Sequence, residues 1–224
     1  LATLKKQYKY YGDQTCATDG LCYTSCPMKI NTGELTHLIR QMDMNESPIG
    51  YKVGEFAANH MAGIKSGLRV ILDVAHLGHI TLGPTLMTSV CRTMNKMGMP
   101  LWTTAMPRKK RQPVPSDLTQ FIIDRSLPHH TSPQTSDLKV VYFPSCINQT
   151  MGLSKESPVK RPLVDEVSQL LHKAGYEVLF PEGMEHMCCG QIWESKGMLD
   201  IAYRKSGELE AALWKASEQG RYPV

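Results

Sequence analysis

Cys16, Cys22 and Cys26 stand at the spacing C-x5-C-x3-C, and Pro27 follows the last of them. Thiolates a few residues apart on a compact loop converge on one side of it, which is how iron–sulfur clusters are held. One recurrent loop of this kind reads C-x2-C-x2-C-x3-C-P. Laid over that pattern, Cys16, Cys22 and Cys26 take the first, third and fourth cysteine positions, and Asp19 takes the second. Gly20 is expected to relieve the backbone where a Cβ would crowd the site. Pro27 is expected to end the loop and to remove an N–H that would need a partner. Asp19 has three readings: a ligand to a labile iron, a marker of the empty corner of a 3Fe–4S cluster, or a solvated turn residue. For the loop as a whole the rivals are three buried thiols, a disulfide pair, and a structural zinc site. Zinc loops usually carry a C-x2-4-C pair, which C-x5-C fits poorly.

A second set of cysteines lies downstream, where Phe143-Pro144-Ser145-Cys146 is followed, at C-x41-CCG spacing, by Cys188-Cys189-Gly190. Adjacent cysteines are strained partners for a disulfide with each other. They can instead offer two sulfurs to one centre, with Gly190 letting the chain turn behind them. Buried structural thiols are the alternative.

The elements around these residues are legible from pattern. Leu138 to Phe143 is β-branched and aromatic and ends at Pro144, so it reads as a buried strand. Val159 to Ala174 carries Leu163, Val167, Leu170 and Leu171 at helical spacing, with Gly175 at the C-terminal cap. Tyr176 to Phe180, ended by Pro181, reads as the next strand. The three form a βαβ unit with parallel strands. Cys146 and the Cys188-Cys189 pair follow the carboxyl ends of those strands, where open α/β sheets bind ligands, so both are expected at one crevice. Upstream, helices are expected over 50–63, 64–77 (Leu68, Ile71, Leu72 and Ala75 inward) and 81–96, with Pro84 in a first turn. Cys91 reads as core, His76 and His79 as surface or satisfied core, and His129-His130 as solvated. His186, two residues before Cys188, is a minor candidate for tuning or ligating a cluster.

Taken together, these residues resemble a known family. Phe143-Pro144-Ser145-Cys146 with Cys188-Cys189-Gly190-Gln191 looks like the cysteine-rich CCG domain of heterodisulfide reductases, glycolate oxidase iron–sulfur subunits and anaerobic glycerol-3-phosphate dehydrogenase subunits. The longer text resembles the C-terminal half of FAD-linked, iron–sulfur D-lactate dehydrogenases. It runs from Thr15-Cys16-Ala17 through Pro27-Met28-Lys29-Ile30-Asn31-Thr32-Gly33 and Val141-Tyr142-Phe143-Pro144-Ser145-Cys146 to Cys189-Gly190-Gln191 and Ser195-Lys196-Gly197. The resemblance implies a ferredoxin-like half-module with Cys16, Cys22 and Cys26 as ligands and Asp19 as a candidate. It implies that Cys146, Cys188 and Cys189 are ligands or a redox-active thiol set. By the family's crossing rule, Cys26 would serve the cluster of the other half-module.

The same resemblance implies a 4Fe–4S or 3Fe–4S cofactor, and FAD in an upstream domain of the same polypeptide. That flavin domain would oxidise D-lactate or a similar 2-hydroxy acid, and the clusters would pass electrons to a quinone or cytochrome. No catalytic residue is expected in this stretch, which reads as an internal fragment holding the first CCG repeat. The alternatives are a metal-free thiol/disulfide module, a zinc-stabilised interaction domain, or the equivalent part of a glycolate or glycerol-3-phosphate oxidoreductase.

Composition agrees with a globular chain. The 224 residues are 42% hydrophobic and 21% charged, which disfavours disorder. No run of 18 apolar residues stands out, so no membrane span is expected, and the first residues lack the apolar stretch of a signal peptide. Seven cysteines, an odd count, argue for reduced thiols and a cytoplasmic location, and the resemblance allows for contact with the inner face of the membrane. Net charge is +4, concentrated in Pro107-Arg108-Lys109-Lys110-Arg111-Gln112-Pro113. That run reads as a solvated linker. If it binds anything, anionic lipid head groups fit the resemblance better than nucleic acid, which is not expected as a partner. The fold class expected is α + α/β. An α-helical ferredoxin-like module spans 1–106, a basic Pro-rich linker 107–136, and an α/β CCG half-domain with a parallel βαβ unit 137–224.

Overall fold

The structure is a computed structural model and describes residues 2–95, 103, 105–110 and 138–224. It is mixed helix with two small sheets. In chain order come α1 (Ala2–Tyr8, running into a π-helical turn Lys9–Gln14), α2 (Leu21–Ser25), α3 (Thr32–Asn45), α4 (Pro48–Asn59) and α5 (Met61–Asn95). Then follow β1 (Pro107–Lys109), β2 (Lys139–Val141), α6 (Cys146–Thr150), β3 (Met151–Ser154), α7 (Leu163–Lys173) and β4 (Glu177–Leu179). After a 3-10 turn at Met184–His186 the chain ends in α8 (Gln191–Glu194) and α9 (Leu199–Ala216). It divides into two compact units: Leu1–His60 with Cys188–Glu210, and Met61–Met187 with Ala211–Val224.

In the first unit, Asn31 caps α3 by accepting the Gly33 N–H, which satisfies one orphan donor of the first turn, and its own side-chain amide donates to Glu34. Pro48 opens α4, where a missing N–H costs nothing. Ala58, Trp193, Met198, Ile201 and Ala202 are buried. Gly197, at φ +78°, lies so close to the α3 backbone that a Cβ there would strike Gln41 N.

In the second unit, β2 and β4 pair in parallel, with Lys139 opposite Glu177, Val140 opposite Val178 and Val141 opposite Leu179. α7 supplies the crossover and Gly175 (φ +88°) follows its end, as the sequence pattern implies. The inward face of α7 differs from the expected one. Leu163 and Leu170 are exposed, and Val164 and Ser168 are buried. Ser168 is tolerated inside because its hydroxyl donates back to Val164 O at 2.8 Å. Val164, Phe180 and Met184 form a core with Tyr142, Phe143 and Val178 against it. Each full burial of this kind contributes about 1.5–3 kcal/mol.

Two expected helices and part of a third are one element here. α5 passes through Gly63 without a break and is interrupted only at Gly83 (φ 73°, ψ 171°), just before Pro84. Of the four residues expected inward, Leu72 is buried whereas Ile71 is 64% exposed. By length and composition α5 is apolar enough to cross a membrane, contrary to expectation, and little of its apolar window is buried. Its mixed use of Lys65, Arg69 and Asp73 hides this in a run-length reading.

The front of the expected linker is also structured. β1 pairs antiparallel with β3, Pro107 opposite Ser154 and Lys109 opposite Met151, with an irregularity between. Lys110 is buried and pairs with Asp165 at 3.4 Å, and Lys109 pairs with Asp73. Burial pulls the Lys110 ammonium below the usual lysine range, against the opposing pull of Asp165. Residues 111–136 of that span, with His129 and His130, lie outside the described residues.

Candidate functional site

Five of the six candidate thiols, Cys16, Cys22, Cys26, Cys188 and Cys189, belong to the first unit; Cys146 belongs to the second. Cys16 lies in the loop after the π-helical turn, and its carbonyl is gripped by Arg40 of α3. The Arg40 guanidinium pairs with Asp13 Oδ1 at 2.7 Å, reaches Asp13 O, and donates to Cys16 O and Ser195 O at 2.9 Å each. One nearly buried side chain thereby fixes the first cysteine loop and the segment after the CCG turn.

Asp19 Oδ1 accepts the Leu21 N–H at 3.1 Å on an exposed turn. This is a side chain capping its own loop, the arrangement of the solvated-turn reading. Gly20 has φ +74°, a backbone conformation that favours glycine, and no protein atom lies within 4 Å of a Cβ built there. Cys22 sits within α2, and Cys26 ends it by donating its N–H to Cys22 O.

Cys22 has the most informative surroundings. Its Sγ–H donates to Asn31 Oδ1 at 3.4 Å, which puts the sulfur at the N-terminus of the 14-residue α3. The Thr32 side chain and then the Gly33 backbone hold this thiol below the ordinary cysteine range, outweighing partial desolvation. The N–H groups of the helix start and the positive end of the helix dipole favour a thiolate there. The Asn31-x-x-Glu34 pattern was the signal available for this helix start, and the sequence reading did not use it.

Cys188 is buried and Cys189 exposed, so the adjacent pair faces two ways. Gly190 turns the chain at φ +89°, and a Cβ there would stand 2.6 Å from Ala202 O, so only glycine fits. Four residues after Cys189, the buried Trp193 Nε1 has no hydrogen-bond partner among the described residues. Cys146 opens α6, with Ser145 capping that helix through the Asn148 N–H. The expected crevice would hold all three downstream sulfurs, and neither compact unit by itself contains them all. His186 lies on the turn before the pair, Cys91 is half-buried on α5, and His79 is buried.

Thiol donors of this kind suit an iron–sulfur cluster. The arrangement does not: among the described residues no three His, Cys, Asp or Glu side chains gather as metal ligands. None of the seven cysteines is in a disulfide. Arg40 and Lys65, which hold the cysteine-bearing segments, escaped the sequence reading; a lone lysine inside the apolar stretch 61–68 was the signal available for the second. No family model, no curated protein and no solved structure matches this chain.

Proposed function

We propose that this chain is the electron-transfer portion of a flavin-dependent 2-hydroxy-acid dehydrogenase, with D-lactate the leading substrate of the whole enzyme. In this reading Cys16, Cys22 and Cys26 are ligands of a ferredoxin-like iron–sulfur half-module, and Cys146, Cys188 and Cys189 belong to a CCG-type site. FAD resides on another domain of the same polypeptide, and a quinone or cytochrome takes the electrons. The cytoplasmic side of a membrane is the location consistent with that acceptor. The sequence pattern C-x5-C-x3-C-P with CCG motivates the reading. The observation that carries it is the placement of Cys22 Sγ at the N-terminus of α3, where Thr32 and Gly33 favour the thiolate that binds iron.

The ligand side chains are not gathered as they stand, so the reading requires completion by further ligands and local adjustment on binding. Iron and acid-labile sulfide per chain, measured on protein prepared without oxygen, test it directly. About four of each per cluster, lost in Cys22→Ser, is the expected result. Absence of both, even after supply of a peptide carrying a C-x2-C-x2-C-x3-C-P segment, would defeat it.

The exposed, unbridged Cys189 favours one competing reading, a metal-free thiol/disulfide module. It has its own signature: no visible absorbance, and reversible oxidation of the exposed Cys189 with a partner thiol.

A further inference from the structure

Lys65 is 3% exposed, on a helix whose neighbouring residues are largely apolar. Its Nζ donates to Gln149 Oε1 at 3.0 Å, Met184 O at 2.9 Å and Met187 O at 3.1 Å. All three acceptors lie on cysteine-bearing segments. Gln149 belongs to α6, the helix that Cys146 opens, and its Nε2 donates to Pro144 O at 2.7 Å. One buried amide therefore holds the backbone on both sides of Cys146. Met184 and Met187 are the two ends of the 3-10 turn that feeds the CCG sequence. The Met187 carbonyl belongs to the same peptide bond as the Cys188 N–H, so the ammonium acts one bond away from that cysteine's backbone. Four residues on, Arg69 repeats the pattern: Nη2 donates to Gln149 O at 3.3 Å and Nη1 stands 3.9 Å from Glu185.

Burying an ammonium is costly, and apolar replacements of buried ionic groups are often at least as stable. Such a group is better understood through the geometry it specifies. We infer that Lys65 is a positioning residue for the redox thiols: through Gln149 it sets the Cys146 helix, and through the Met187 carbonyl it sets the entry into Cys188-Cys189. The inference rests on the redox reading above, but it concerns backbone placement and is read out on metal-free protein.

The test is site-resolved alkylation of the full chain, stripped of metal and reduced, with iodoacetamide and mass spectrometry. In Lys65→Met, Cys146 and Cys188 should label at least about tenfold faster, the size expected when a charged hydrogen bond restraining local opening is lost. Cys22 and Cys91, which touch none of these atoms, serve as controls and should keep the parent rate. Gln149→Leu should release Cys146 and leave Cys188 slow, because the carbonyl contacts of Lys65 survive. Lys65→Arg, which keeps a charge and can donate to the same carbonyls, should stay within about threefold of the parent.

Unchanged labelling of Cys188 in Lys65→Met would overturn the inference. So would equal acceleration of all four thiols, or Lys65→Arg labelling as fast as Lys65→Met. An iron analysis that finds no metal, beside the expected labelling pattern, would sink the cluster and leave the positioning role standing.

Discussion

At the scale of single residues, Cys22 owes its lowered pKa to the Thr32 side chain first and then to the Gly33 backbone, both in the first turn of α3. The depressed thiol pKa makes Cys22 a thiolate at lower pH than an ordinary cysteine. In reduced, metal-free protein its alkylation should therefore begin at lower pH than that of a cysteine in a short peptide. Thr32→Val should move the midpoint upward, because the largest stabilising bond to the thiolate is removed. An unmoved midpoint would mean that the helix end alone sets it. The motif at Cys16, Cys22 and Cys26 was legible because ligand spacing is local. The approach of the α3 start to Cys22 was not, because it depends on how α2 folds back on α3. Arg40 belongs to the same level. With Asp13 it forms an ion pair that is 16% exposed on each side. Arg40→Met should cost the first unit about 1–3 kcal/mol in urea unfolding, the size expected when hydrogen bonds to a partly buried charged group are lost.

At the scale of elements, glycines separate two kinds of constraint. Gly20 and Gly190 both have positive φ, but Gly20 faces open space and Gly190 faces Ala202 O. Gly20→Ala should cost about 1–2 kcal/mol, the strain of a left-handed alanine. Gly190→Ala adds a backbone collision, and its loss in the same measurement should exceed that of Gly20→Ala by roughly 1–3 kcal/mol. Equal losses would show that the CCG turn can yield. Strands 139–141 and 177–179 were readable because Val, Tyr and Phe run up to prolines that stop them. The strand at Pro107–Lys109 was not, because its partner Met151–Ser154 is distant in sequence and the run looks polar. The inward face of α7 was misjudged because leucines outrank valine and serine in any apolar count. Burial there follows from what Tyr142, Phe143 and Phe180 leave room for.

At the scale of the whole molecule, charge and apolar surface set the behaviour in solution. Desolvation first, then the positive Arg108, His79 and Lys155, hold the His76 imidazole below its ordinary pKa, with Asp73 opposing. The folded second unit thus prefers neutral His76, and the unfolded chain takes up the proton first as pH falls. Stability should be highest above about pH 6.5 and decline as pH drops through the unfolded and then the folded pKa. His76→Gln should flatten that part of the stability curve; an identical slope in the variant would assign the effect elsewhere.

The long helix α5 has a broader consequence. Val70, Ile71, Val74, Leu77 and Ile80 stand exposed on a regular element within a fold that has its own core. Dyes such as anilinonaphthalene sulfonate report accessible apolar surface, and their brightening is customarily taken as the mark of a loosened, partly folded chain. This protein should brighten such a dye while still melting cooperatively. Fluorescence alone would misjudge a well-formed preparation as a damaged one, and heating would separate the two by the sharpness of the transition.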